Sequence, residues 1–144
     1  MSYRIVPFQR WHLSFLESHG SAEGALGQVP DFSAFKFIET QDSWTGFSGE
    51  RLLFCAGTIE QWRGRRTCWA YLNKDTGPNM RWITRRCKEH LDAIPGRLEF
   101  TVRQDFAAGH RWAKLLGFEV ETPLLVAYGP EGEDHVGYVR PGAR

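Results

Sequence analysis

The chain has 144 residues, with 18 Lys or Arg against 17 Asp or Glu and a formal charge of +1. Hydrophobic residues make up 42% and charged residues 24%, a balance that fits one globular domain and excludes a disordered tail, a fibrous repeat and a general nucleic-acid binder driven by counterion release. No apolar run approaches the ~18 residues a membrane span needs, and MSYRIVPFQRWH lacks the basic start and apolar stretch of a signal peptide, so the expectation is a cytoplasmic protein.

Tyr3 to Val6 reads as a first strand. A helix is expected from Phe8 to Ser18, because Phe8, Trp11, Phe15 and Leu16 recur at helical spacing. The turn-rich stretch from His19 to Pro30 reads as a loop, and Asp31 as the cap of a short second helix carrying Phe32, Phe35 and Ile38. Trp44 to Phe47 is a strand and Ser48-Gly49-Glu50 a turn. Arg51 to Trp62 is a longer strand with Gly57 as its candidate bulge, and Arg63-Gly64-Arg65 turns into a strand from Arg66 to Asn73. The middle of the chain is therefore an antiparallel meander.

After the loop Lys74 to Asn79 the period changes. Met80, Ile83, Cys87 and Leu91 share one helical face, and Arg81, Arg85 and Lys88 another. Pro78 suits the first turn of that helix. Pro95-Gly96 ends it. Arg97 to Val102 is a strand, Phe106 to Leu116 a helix stopped by Gly117, Phe118 to Tyr128 a strand, and His135 to Val139 a last strand after the turn Gly129 to Gly132. The strands flanking the Met80 helix must run parallel. The fold class is α/β (α+β), a single domain over residues 1–144 with a mixed central sheet of six to seven strands and helices on both faces.

Cys55, Cys68 and Cys87 are an odd, widely spaced set and read as reduced, mostly buried thiols. No His stands at a metal-binding interval from another His or a Cys, so no metal site is expected. Six Trp and ten Phe signal a large core, an interface, or both. Trp62, Trp69 and Trp82 are candidates either for core packing or for an apolar acceptor pocket.

The most informative place is Tyr71 to Met80, where a strand enters a Gly-containing loop and then a helix N-terminus. Free backbone N–H groups and the helix dipole converge there on an anion site. Lys74 stands beside it, and residues 74–88 carry five basic groups against the single acid Asp75. A phosphate or pyrophosphate is the natural ligand of such a place; the alternative is an ordinary connection with a solvated basic face. The Arg81–Lys88 face is also open to a weaker nucleic-acid reading, which the acids elsewhere oppose.

The element order, the loop Lys74-x-x-Gly77-x-Asn79 and the helix ending Lys114-Leu115-Leu116-Gly117-Phe118 resemble the GNAT superfamily of acyl-CoA-dependent N-acyltransferases. As element order the resemblance covers nearly the whole chain; as residues it rests on those two motifs. It implies acetyl-CoA or CoA as cofactor, with an unknown amine as acceptor. The pyrophosphate would rest on Lys74, Thr76, Gly77, Asn79, Met80 and Arg81, and the pantetheine arm would pair along Ala70, Tyr71 and Leu72.

Two positions depart from the family pattern. Phe106 stands where the second motif helix often begins with Asn, and Ala113 stands where a Tyr often serves as general acid. Glu60 as base and Tyr71 or Tyr128 as proton donors are the substitutes the sequence offers. Their alternative is structural, as a strand-end carboxylate and as core or interface tyrosines. The segments WAYLNKDTGPNMRWITRR and GHRWAKLLGFEVETPLLVAYGPEGED also resemble small GNAT-like phage proteins grouped with internal virion protein A of T7-like podophages. That resemblance implies a host-cell location, association with a virion and other virion proteins as partners, with or without catalysis.

Overall fold

Strand-forming residues between Asp42 and Leu72 are punctuated by two turns, each with a glycine in the left-handed region, φ 59° at Gly49 and 94° at Gly64. That backbone is open to glycine at little cost and suits tight hairpins. The computed structural model describes residues 2–16, 38–39 and 41–141. Among them are seven strands: β1 Tyr3–Pro7, β2 Asp42–Ser48, β3 Arg51–Trp62, β4 Arg65–Leu72, β5 Arg97–Arg103, β6 Glu119–Leu125 and β7 His135–Arg140. They form one sheet in the order β1-β2-β3-β4-β5-β7-β6. Every pairing is antiparallel except β4 with β5. Two α-helices, α1 Met80–Asp92 and α2 Ala107–Leu115, follow β4 and β5.

The period-two alternation of β4 divides the core. Leu72 packs with Ile83, Cys87 and Leu91 of α1 and Ala113 of α2, and Cys68 and Ala70 pack against the same cluster. Trp69 and Tyr71 point the other way, toward Phe8, Leu13 and Ile38. Thus α1 and α2 cover one face, and the N-terminal segment covers the other. Phe54, Leu53, Tyr71 and Ile83 are fully buried, and each such side chain adds about 1.5–3 kcal/mol of burial.

Several expectations need correction. The segment after β1 is not a helix from Phe8. It is a 3-10 turn over Arg10–Phe15 that ends at an extended Leu16. Phe8 donates its N–H to Ser43 O at 3.2 Å, so tertiary pairing with the sheet overrides the helical spacing, and Trp11 and Phe15 remain exposed. Residues 17–18 lie outside the described residues, as does the loop 19–30. Of the helix expected from Asp31, only Ile38 and Glu39 are described, and both are helical.

Gly57 is not a bulge: it keeps regular pairing with Ser43 and Trp69. A Cβ there would lie 2.7 Å from Asp42 O, so the residue serves close strand approach. The register shifts fall instead between Gly46 and Phe47 and between Glu60 and Trp62. The strand expected to reach Tyr128 stops at Leu125, where the chain turns through Ala127 at φ 51°.

Gly64 and Gly96 meet at the base of β4 and β5. Arg97 N–H donates to Gly64 O at 2.8 Å, and a Cβ on Gly96 would approach that same oxygen to 2.7 Å. Gly96 has φ 89°, so conformation and space both call for glycine.

Candidate functional site

Parallel pairing between β4 and β5 lasts only three rungs, Arg65 with Arg97, Arg66 with Leu98 and Thr67 with Glu99. Beyond Thr67 the strands part, while β5 stays paired with β7 through Arg103. The β4 edge from Cys68 to Leu72 thus faces β5 without a ladder. A cleft of about 270 Å³ occupies the wedge. Cys68, Trp69, Ala70 and Leu72 form one wall and Phe100, Thr101 and Val102 the other, with Phe106, Gly109 and Trp112 of the β5–α2 segment above. Phe106 and Trp112 border the opening and leave it unfilled. Trp112 Nε1 donates to Thr84 Oγ1 at 2.9 Å, bracing α2 against α1.

At the mouth stands the loop that joins β4 to α1. Asn73 holds its start: Nδ2 donates to Leu52 O at 2.8 Å, and Oδ1 accepts the Lys74 N–H at 2.9 Å. Arg51 holds its crest, donating to the carbonyls of Lys74 and Asp75. Asp75 has φ 57°, a left-handed conformation that Asp tolerates better than most residues. Because a trans peptide sets its N–H opposite its C=O, those two carbonyl bonds turn the N–H groups of Asp75 and Thr76 away from Arg51. Gly77 has nothing within 4 Å of where a Cβ would sit, and it borders the cleft beside Thr76 and Met80. Arg81 is exposed on the first turn of α1, whose N-terminal dipole favours an anion.

The predicted binding residues separate by what they touch. Ala70, Leu72, Thr76, Gly77 and Met80 line the cleft. The Thr76 hydroxyl donates to Asn73 O at 3.1 Å, so its side chain serves the loop. Asn79 Nδ2 donates to Tyr3 Oη at 3.2 Å, tying β1 to α1, and Tyr3 stacks on Trp82 with centroids 4.3 Å apart. Lys74 and Arg81 stand exposed outside the cleft wall.

The three proposed catalytic residues are not brought together at the cleft, and none lines it. Glu60 is an exposed strand-end carboxylate paired with Arg66 at 3.2 Å. Tyr71 is fully buried in the cluster on the opposite face, and burial pushes its hydroxyl pKa well up. Tyr128 is 57% exposed beside His135. Their side of the strand depends on a register the sequence leaves open. Trp69 borders the cleft while its ring packs with Phe8 in the cluster on the opposite face, whereas Trp62 is exposed and carries Arg65 over its ring.

Arg51 escaped sequence reading, because its role arises from a β3 start lying beside the β4 exit. The pair His110–Tyr138 escaped it as well. His110 Nδ1 lies 2.7 Å from Tyr138 Oη and Nε2 lies 3.0 Å from Gln104 O. Since that carbonyl can only accept, Nε2 carries the proton and the buried Tyr138 hydroxyl donates to Nδ1. Burial raises all three thiols, Cys55, Cys68 and Cys87, to about 12. Among the described residues no His, Cys, Asp or Glu cluster could hold a metal ion, and no helix is long and apolar enough to cross a membrane.

No protein-family model matches the chain, and no curated protein matches it in sequence. Solved structures match it in fold. The ribosomal-protein-S18-alanine N-acetyltransferase of Escherichia coli aligns with a TM-score of 0.74 and 16% identity over 99% of this chain and 96% of that one. An acetyltransferase of the GNAT family from Streptococcus pneumoniae gives 0.72 and 13% over 99% and 100%. The NatC complex bound to Gag peptide and CoA gives 0.70 and 9% over 99% and 100%. The chain has the fold of the GNAT acetyltransferases.

Proposed function

We propose that this chain binds an acyl-CoA in the β4–β5 wedge and transfers the acyl group to an amine. The observation that carries the reading is the wedge itself, a ladder that stops after three rungs and opens onto an unobstructed Gly77 in the 3-10 turn that leads into α1. The residues present fit the group. A strand edge that has parted from its β5 ladder suits a pantetheine arm, and an open glycine with the α1 dipole and Arg81 suits a diphosphate. Acyl-CoA would supply an activated thioester. The backbone of Ala70 to Leu72 would orient the arm, and Gly77, Thr76 and Met80 would seat its charged end. Lys74, Arg81 and Asn79 would lie around that seat.

Among the described residues, no side chain that ionises near neutral pH lines the cleft. The contribution of these residues is therefore binding, orientation and exclusion of water. The acceptor amine's proton would pass to solvent or to a group outside the cleft wall.

A second reading has its own support: a GNAT fold kept for assembly, without turnover. Phe106 and the fully buried Ala113 replace the two polar residues the family often uses, and Glu60, Tyr71 and Tyr128 stand away from the cleft. With the sequence resemblance to podophage internal virion proteins, that reading makes the chain a component of a phage particle. Calorimetric titration with CoA, followed by thiol release from acetyl-CoA with small amines, tests both. Binding with thiol release above the hydrolysis rate supports the transferase. Binding or its absence without thiol release, together with co-purification with particles, supports the assembly role.

A further inference from the structure

The cleft reaches farther than an acetyl group requires. Its mouth lies at Gly77 and Met80. At its inner end the lining runs across the ladder from Ala70 to Ala56 on β3 and Trp44 on β2, with Cys87 and Leu91 of α1 also in the wall. Strands lie ~4.8 Å apart, so β2 is about 10 Å from the β4 edge, beyond the reach of two carbons seated in the wedge. The inner end is apolar, and among the described residues no charged side chain lines any part of the cleft. A carboxylate there would be desolvated without a partner. The Trp44 indole N–H there is buried with no acceptor among the described residues.

Resting on the acyl-CoA reading above, we infer that the donor carries an uncharged acyl chain longer than acetyl, with its tail against Ala56, Cys87 and Leu91. The wedge then takes the arm, and the space under α1 selects the acyl group by length and charge.

The test is calorimetric titration of the full chain with CoA, acetyl-CoA, hexanoyl-CoA and succinyl-CoA. Each buried methylene tightens binding about three- to fourfold. Hexanoyl-CoA is therefore expected to bind at least tenfold more tightly than acetyl-CoA, and succinyl-CoA no better than acetyl-CoA. Ala56→Val shortens the inner end and should remove most of the hexanoyl advantage with the CoA Kd unchanged. Leu91→Ala lengthens it and should move the preference toward octanoyl-CoA.

If neither CoA nor any acyl-CoA binds, the acyl-CoA reading fails, and this inference with it. If CoA and acetyl-CoA bind but hexanoyl-CoA binds no better, only the chain-length inference is overturned. A hexanoyl advantage that neither variant moves overturns it too.

Discussion

Arg65 on β4 donates its Nε to Glu99 Oε1 on β5 at 2.7 Å, across the last rungs where the two strands still pair. Arg97 donates to the other oxygen of Glu99 at 2.6 Å and also to Glu121 on β6. These ion pairs link β4, β5 and β6 at the closed end of the wedge. Partial burial opposes ionisation of Glu99, but the bonds from Arg65 and Arg97 outweigh it and hold the carboxyl below its ordinary 4.5. A depressed folded-state pKa gives stability that is present above the ordinary value and lost as pH falls below it. Glu99→Gln is expected to cost about 1–2 kcal/mol at neutral pH. In thermal melts its deficit should shrink as pH is lowered below 4.5; a deficit constant down to pH ~2 would remove the electrostatic account.

Gly77→Val separates binding from folding. The new side chain enters open space, so stability should change by less than ~0.5 kcal/mol. CoA affinity should drop tenfold or more, because the side chain stands where the diphosphate would approach the backbone. Unchanged affinity by calorimetry would move the anion seat away from Gly77.

His110→Ala leaves the Tyr138 hydroxyl, on a residue only 3% exposed, without the acceptor it now uses. The expected cost is about 1–2 kcal/mol, while Tyr138→Phe should cost less, since it removes the buried polar atom together with its bond. A double-mutant cycle by urea unfolding should return a coupling above ~0.5 kcal/mol. Additive effects would mean that the 2.7 Å contact contributes nothing to stability.

The thiols should be silent. With all three raised to about 12 by burial, almost no thiolate exists at pH 8, and native protein should leave Ellman's reagent unreacted over minutes. Three equivalents should react after unfolding. Fast reaction of Cys68, which lines the cleft, would reveal an open path to the wall.

Much of the frame was legible. Composition and turn chemistry located β3 at Arg51–Trp62, and the change of period located α1, because local pattern dominates both. The loop before α1 was visible as a strand entering a helix N-terminus. Which β4 side chains face the cleft was not, since a one-residue change of register exchanges Ala70 and Tyr71 between faces. The N-terminal segment misled because its apolar spacing answers to Ser43 and the sheet, contacts far away in sequence. The inner cleft was invisible for the same reason: Trp44, Ala56 and Leu91 become neighbours only once three elements have packed.

Gly64 and Gly96 give the wedge a fulcrum. With no side chain at 96, the β3–β4 turn rests directly on the start of β5, backbone against backbone. Any side chain at 96 would act as a spacer under one arm of a pair of tongs, and at φ 89° it would strain the turn as well.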